Sequence, residues 1–195
     1  MIKTVRGKIN FICSGALLSS TLAITTAHCI ENADQVWITN APKLETTTPM
    51  IQSADYKTHP SYTGNNFKGY DLGVVHLKKG IKLGKYFKPE PLSIEALKKL
   101  TLKREGYGLR QNKNQRQVFS EPNEKVEFAE HYLQTYDENG LLGDSGGPVY
   151  FVRKNNLILV GLHTGRKQGA DGKLENYSNT LVMTDELAKW IQLFR

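Results

Sequence analysis

Apolar residues in this chain come in short bursts, and the gaps between the bursts are rich in Gly, Pro, Asn and Ser. Bursts of this length bounded by turn formers read as β-strands, and the lack of a helical period before residue 90 argues against alternating strand and helix units. Residues 10–18 and 22–26 read as two strands joined at Ser19-Ser20, followed by strands at 36–38, 50–52 and 72–77 and another near Leu83. A second set is predicted at 106–108, 125–128, 132–136, 148–152, 157–161 and 180–183. Between the sets, Leu92, Ala96, Leu97 and Leu100 fit a short helix, yet 92–102 reads as a connector with a strand at its end. The chain end is clearer. Thr184 is a candidate N-cap, Asp185 and Glu186 put negative charge in a first turn, and Leu187, Trp190, Ile191 and Phe194 recur at helical spacing. The pattern alone predicts a mostly β protein closed by one amphipathic helix.

Composition changes this picture little. A chain of 195 residues with 39% hydrophobic and 23% charged content is long enough for a real core, in one domain or two small ones. No apolar run approaches the roughly 18 to 20 residues of a membrane-spanning helix, so no membrane association is expected. Lys3, Arg6 and Lys8 ahead of an apolar stretch imitate a secretory leader, but Ser14, Gly15, Ser19, Ser20, Thr21, Thr25 and Thr26 interrupt that stretch. It reads as strand, and a leader for export would lie upstream of this chain.

The candidate chemistry centres on Gly143-Asp144-Ser145-Gly146-Gly147-Pro148. A serine among glycines suits a turn that exposes one hydroxyl and offers two N–H groups to one small space; taken alone, the six residues also fit a plain hairpin turn. A hydroxyl is a weak nucleophile without a base and a group to orient that base. His28 in Thr25-Thr26-Ala27-His28-Cys29 and Asp71 at the head of 71–77 supply both residue types.

These segments, in this order, resemble the trypsin/chymotrypsin-like serine peptidases, whose signatures take the forms TAAHC, DIALL and GDSGGP. The resemblance runs from Cys13 to the chain end and includes the terminal Trp-Ile pair. It implies two six-stranded antiparallel β-barrels packed face to face with a C-terminal helix over 184–195. Residues 1–82 would carry His28 and Asp71, and residues 83–195 would carry Ser145. It also implies a serine endopeptidase working through an acyl-enzyme, with His28, Asp71 and Ser145 as the catalytic residues and the Gly143 and Ser145 N–H groups as the oxyanion hole. A catalytically silent homologue acting as a binding or regulatory module is the alternative. The chemistry needs no cofactor, and the expected partner is a protein or peptide substrate met by a monomer.

The same resemblance places the primary pocket at Asn139, Gly140, His163, Thr164 and Gly165. An amide at Asn139 cannot neutralise a buried Lys or Arg, so trypsin-like cleavage is not expected. His163, with Arg166 and Lys167 beside it, matches the histidine of the glutamyl-endopeptidase branch and makes an acidic preference one reading. A satisfied pocket-wall histidine is the other. His59, His76 and His131 read as surface or strand residues. In the family the residue matching Asp144 pairs with a new amino terminus released by proteolysis, but the expected Ile-Val-Gly-Gly start is absent and Ile2 lies only eleven positions before Cys13. Either the start seen here is a boundary, or another contact holds Asp144.

Cys13 and Cys29 match a family disulfide behind the histidine, which implies an oxidising, extracellular setting; two reduced buried thiols are the other reading. Metal binding is not expected, because no further thiol or spaced histidine pair completes a ligand set. Leu141 stands where many family members carry another cysteine, which predicts mobile pocket walls. Charge is uneven: residues 78–116 hold twelve Lys or Arg against three Glu, a net +9 in a chain of +7. Such a segment could engage a polyanion or simply be a solvated connector. Nucleic-acid binding has no supporting motif.

Overall fold

The computed structural model describes residues 1–66, 68–110, 113–120, 125–129, 131–137, 139–168 and 174–195. Its first sheet contains β1 (Ile2–Arg6), β2 (Ile9–Cys13), β3 (Ala16–Leu17), β4 (Leu22–Thr25), β5 (Gln35–Ile38), β6 (Ile51–Thr58) and β7 (Gly73–Leu77). The strands run in the order β2-β1-β5-β6-β7-β4-β3, and each described pairing is antiparallel. A single helical turn, α1 (Ala27–Ile30), follows β4.

β1 is absent from the sequence reading because its inward face is Ile2 and Thr4, and a buried threonine hides the alternation. The predicted strand 10–18 is two strands. It breaks at Ser14-Gly15, where a Cβ on Gly15 would lie 2.8 Å from the Ile24 carbonyl oxygen and where Ser14 turns its polar groups towards the Ser145 loop.

The second sheet is built from β8 (Phe87–Pro89), β9 (Lys103–Gly106), β12 (Gln117–Ser120), β13 (Lys125–Ala129), β14 (Tyr132–Tyr136), β15 (Pro148–Arg153), β16 (Asn156–Gln168) and β17 (Leu174–Val182). Its path is β12-β9-β15-β16-β17-β14-β13, with β8 parallel to β16. A separate hairpin pairs β10 (Leu109–Arg110) with β11 (Lys113–Asn114). The all-β expectation stands, with seven and eight strands in the two sheets.

Several boundaries move. Leu83 lies outside any strand and is 36% exposed; the chain joins the sheet at β8. The segment 92–102, expected as a connector, forms α2 (Ile94–Lys98), because Ser93 accepts from the Ala96 N–H at 3.2 Å and Leu97 is buried in the core. β9 then follows, ending at Gly106 rather than spanning 106–108.

Three apolar clusters hold the molecule together. One belongs to the first sheet and one to the second, and a third joins both sheets through Ile24, Leu72, Leu159 and Leu162. That shared cluster also receives Leu187, Ala188 and Ile191 of α3 (Asp185–Gln192). Thr184 caps α3 as predicted, accepting from the Leu187 N–H at 3.2 Å. Among the described residues no helix is long and apolar enough to cross a membrane.

Candidate active site

β4 and β7 are neighbours with Thr25 opposite Gly73, so the residues after Thr25 and before Gly73 emerge at the same end of the sheet. That juxtaposition brings His28 on α1 to Asp71. The Asp71 carboxylate is fully buried; one oxygen accepts the His28 backbone N–H at 2.9 Å and the other lies 2.8 Å from His28 Nδ1. A carboxylate only accepts, so Nδ1 is the donor in this contact, and in a neutral imidazole Nε2 is then the nitrogen with the lone pair. Behind α1, Cys13 and Cys29 form a disulfide that ties the helical turn to β2. Cys13, His28 and Cys29 cluster closely, but with both sulfurs bonded to each other the group has no thiolate for a metal.

His59 departs from its expected surface or strand position. It is buried in the loop after β6, stacked on Tyr70 and against Trp190 with ring centroids 4.7 and 4.8 Å away. It thereby packs α3 against the segment that ends in Asp71. His76 does lie in β7, with Nε2 at 3.1 Å from the Phe194 carbonyl oxygen, whereas His131 occupies a turn at positive φ.

The Ser145 loop is held from both sheets. Ser14 donates its N–H to the Ser145 carbonyl at 2.7 Å and its hydroxyl to the Gly143 carbonyl at 2.8 Å. Gly146 sits at φ +81 with Thr25 Oγ1 and the Ser14 oxygen so near that a Cβ would come within 2.1 and 2.4 Å of them; only glycine fits. Its N–H donates to the His163 carbonyl at 2.7 Å. Gly143 is at φ +101. Among the described residues, the Gly143 and Ser145 N–H groups donate to no protein acceptor. The Ser145 hydroxyl is 3.4 Å from the Thr164 carbonyl. Ser145, Gly143 and His28 line one cavity of about 670 Å³.

The predicted pocket residues surround a buried polar cluster that sequence reasoning missed. Arg104, 1% exposed, donates to Asp137 at 2.5 Å, to Ser178 Oγ at 2.9 Å, and approaches His163 Nδ1 at 3.3 Å. Asp137 also accepts from Ser178 and from the Asn139 N–H. Burial alone would raise its carboxyl, but bonds and charge from Arg104, helped by Ser178, bring it below the usual value. Burial, followed by the Arg104 charge, lowers His163 to about 3. Gly140 covers the cluster, since a Cβ there would lie 2.8 Å from Ser178 Oγ and 3.0 Å from Asp137. Asn139 is exposed and takes part through its backbone, and the buried acid beside Gly140 is Asp137, two positions before Asn139. Arg166 reaches the Gly140 carbonyl at 3.3 Å. Thr164 is buried, its hydroxyl bonded to the Asn179 carbonyl at 3.1 Å, and Gly165 takes φ +145 where β16 slips register against β17.

Asp144 has its own partner. Arg110 on β10 donates to its two oxygens at 2.7 and 3.3 Å, and the N–H groups of Gly108 and Leu141 add bonds of 2.7 and 3.0 Å. Nothing in the spacing of Arg104 or Arg110 marked them, because both act through contacts made across strands.

An antiparallel β scaffold that gathers a histidine–aspartate pair and a glycine-framed serine around one cavity defines a protein of the serine-protease class of folds. The chain matches the family model Trypsin over residues 2–191 and belongs to that family. It is 28% identical over 81 residues to a chymotrypsin of Phaedon cochleariae, covering 40% of this chain and 29% of that protein. It is 34% identical over 76 residues to trypsin-3 of Salmo salar, covering 38% and 32%. These alignments span less than a third of the relatives' lengths. In fold it resembles HL collagenase, with a TM-score of 0.77 at 16% identity over 99% of this chain and 90% of that one.

Proposed function

We propose that this protein is a serine endopeptidase, with residues 1–82 supplying His28 and Asp71 and residues 83–195 supplying Ser145. Ser145 attacks the peptide carbonyl, His28 takes its proton through Nε2 and returns it to the departing amine, and water then cleaves the acyl-enzyme. Asp71 holds the imidazole in that tautomer and stabilises its cation. The Gly143 and Ser145 N–H groups receive the developing oxyanion. The observation that carries this reading is the buried Asp71 carboxylate 2.8 Å from Nδ1 of His28, a residue that lines the same cavity as Ser145.

A basic substrate side chain is disfavoured, because the acid beneath Gly140 is already neutralised by Arg104. An acidic one is favoured, and its counter-charge comes from Arg166 rather than from His163, which stays neutral across the working pH range. The disulfide supports an extracellular setting. A polyanion is the proposed further partner of the 78–116 segment.

The test is labelling with a fluorophosphonate, followed by digestion of a peptide library. Label on Ser145, loss of both signals in Ser145→Ala by roughly 10⁶-fold in rate, and an excess of cuts after Glu or Asp are expected. A folded, unlabelled protein would instead be the catalytically silent homologue.

A further inference from the structure

We infer that Arg110 is a built-in counter-ion that holds the Ser145 loop in its oxyanion-binding shape, so that the site assembles with no cut to release a new amino terminus. This rests on the serine endopeptidase reading above and adds a positioning residue and a mode of regulation to it.

The carboxylate of Asp144 is fully buried next to the nucleophile. An ionised carboxylate offers about four acceptor sites. Here Arg110 occupies two, at 2.7 and 3.3 Å, and the Gly108 and Leu141 N–H groups occupy two more. An ammonium arriving from elsewhere would have to displace one of these donors. Arg110 itself is well held: it donates to the Asn139 carbonyl at 2.8 Å, lies 4.7 Å from the centroid of the Phe119 ring, and belongs to the β10–β11 hairpin.

The pair shapes the oxyanion backbone directly. The Leu141 N–H donates to the Asp144 carboxylate while the Asp144 N–H donates to the Leu141 carbonyl, each at 3.0 Å, closing residues 141–144 into a tight turn. Gly143 and its φ of +101 lie inside that turn. A buried carboxylate stripped of its cation is strongly unfavourable. Without Arg110 the turn would open to carry Asp144 towards water, and the Gly143 and Ser145 N–H groups would move with it. Arg110 therefore acts on the reaction through Asp144 and touches no reacting atom.

The experiment uses the full chain. Intact-mass analysis of the fluorophosphonate adduct should find the label on protein that keeps its original amino terminus. Arg110→Ala should lower kcat at least 100-fold with KM changed less than threefold, and millimolar guanidinium should restore at least tenfold of that loss. A merely structural role would show no such chemical rescue. Label found only on trimmed chains, unchanged kcat in Arg110→Ala, or a folded variant that guanidinium fails to rescue would each overturn the inference. If Arg110→Ala does not fold, the mass of the labelled wild type decides alone. A wild type that takes no label at all sinks the endopeptidase reading itself, which keeps the two failures apart.

Discussion

His163 is buried against a guanidinium, and its proton chemistry follows from that neighbour. Its pKa falls from 6.5 to about 3, first through burial and then through Arg104. The unfolded chain therefore takes up a proton near pH 6.5 that the native state refuses until about pH 3. This stabilising contribution is fully present above pH 6.5, is lost progressively as pH falls towards 3, and amounts to roughly 3–5 kcal/mol. His163→Gln should flatten the fall in melting temperature between pH 6.5 and 4. His59, also lowered by burial, leaves a residual slope of the same sign, while the contribution of Asp137 is lost only as pH falls from its ordinary 3.8 towards its lowered value, outside that interval. An equal slope in the variant would mean that His163 is not the buried titrating group.

At the scale of elements, α1 is a single turn, too short to persist by itself. It is fixed by the Cys13–Cys29 bond and by the Asp71 contact to the His28 N–H. Replacing both cysteines by serine should lower stability by about 3 kcal/mol, read as a reduced urea midpoint, and a midpoint unchanged within error would show that the Asp71 contact suffices. Legibility varied at this scale for physical reasons. The cap and apolar stripe of α3 are local signals and were readable in Thr184, Leu187 and Ile191. The break at Ser14-Gly15 was not, because it answers to the Ser145 loop about 130 residues away. The helix α2 was ambiguous in the pattern and was settled by burial of Leu97.

At the scale of the whole molecule, charge and shape separate two faces. The 670 Å³ cavity holds the candidate chemistry, while a larger one of about 710 Å³ lies away from His28 and Ser145 and is bordered by Lys85, Lys88 and Arg195. Of the twelve cations in 78–116, Arg104 and Arg110 are spent inside, on Asp137 and Asp144. Polyanion binding must then use the nine lysines and the exposed Arg116. The protein should be retained on a sulfated polysaccharide column and released as salt rises, with Lys85→Gln plus Lys88→Gln eluting earlier. Elution of that double variant at the wild-type salt concentration would remove this face from consideration.

The order and types of the residues determined, before any fold was known, that this is a mostly β chain carrying His28, Asp71 and Ser145 in peptidase-like motifs, because strand patterns and glycine turns are written locally. Only the tertiary structure decided what stands behind those residues. The counter-ion of Asp144, the neutral state of His163 and the occupied acid under Gly140 depend on which side chains share a low-dielectric interior, and such neighbours come from strands far apart in the chain.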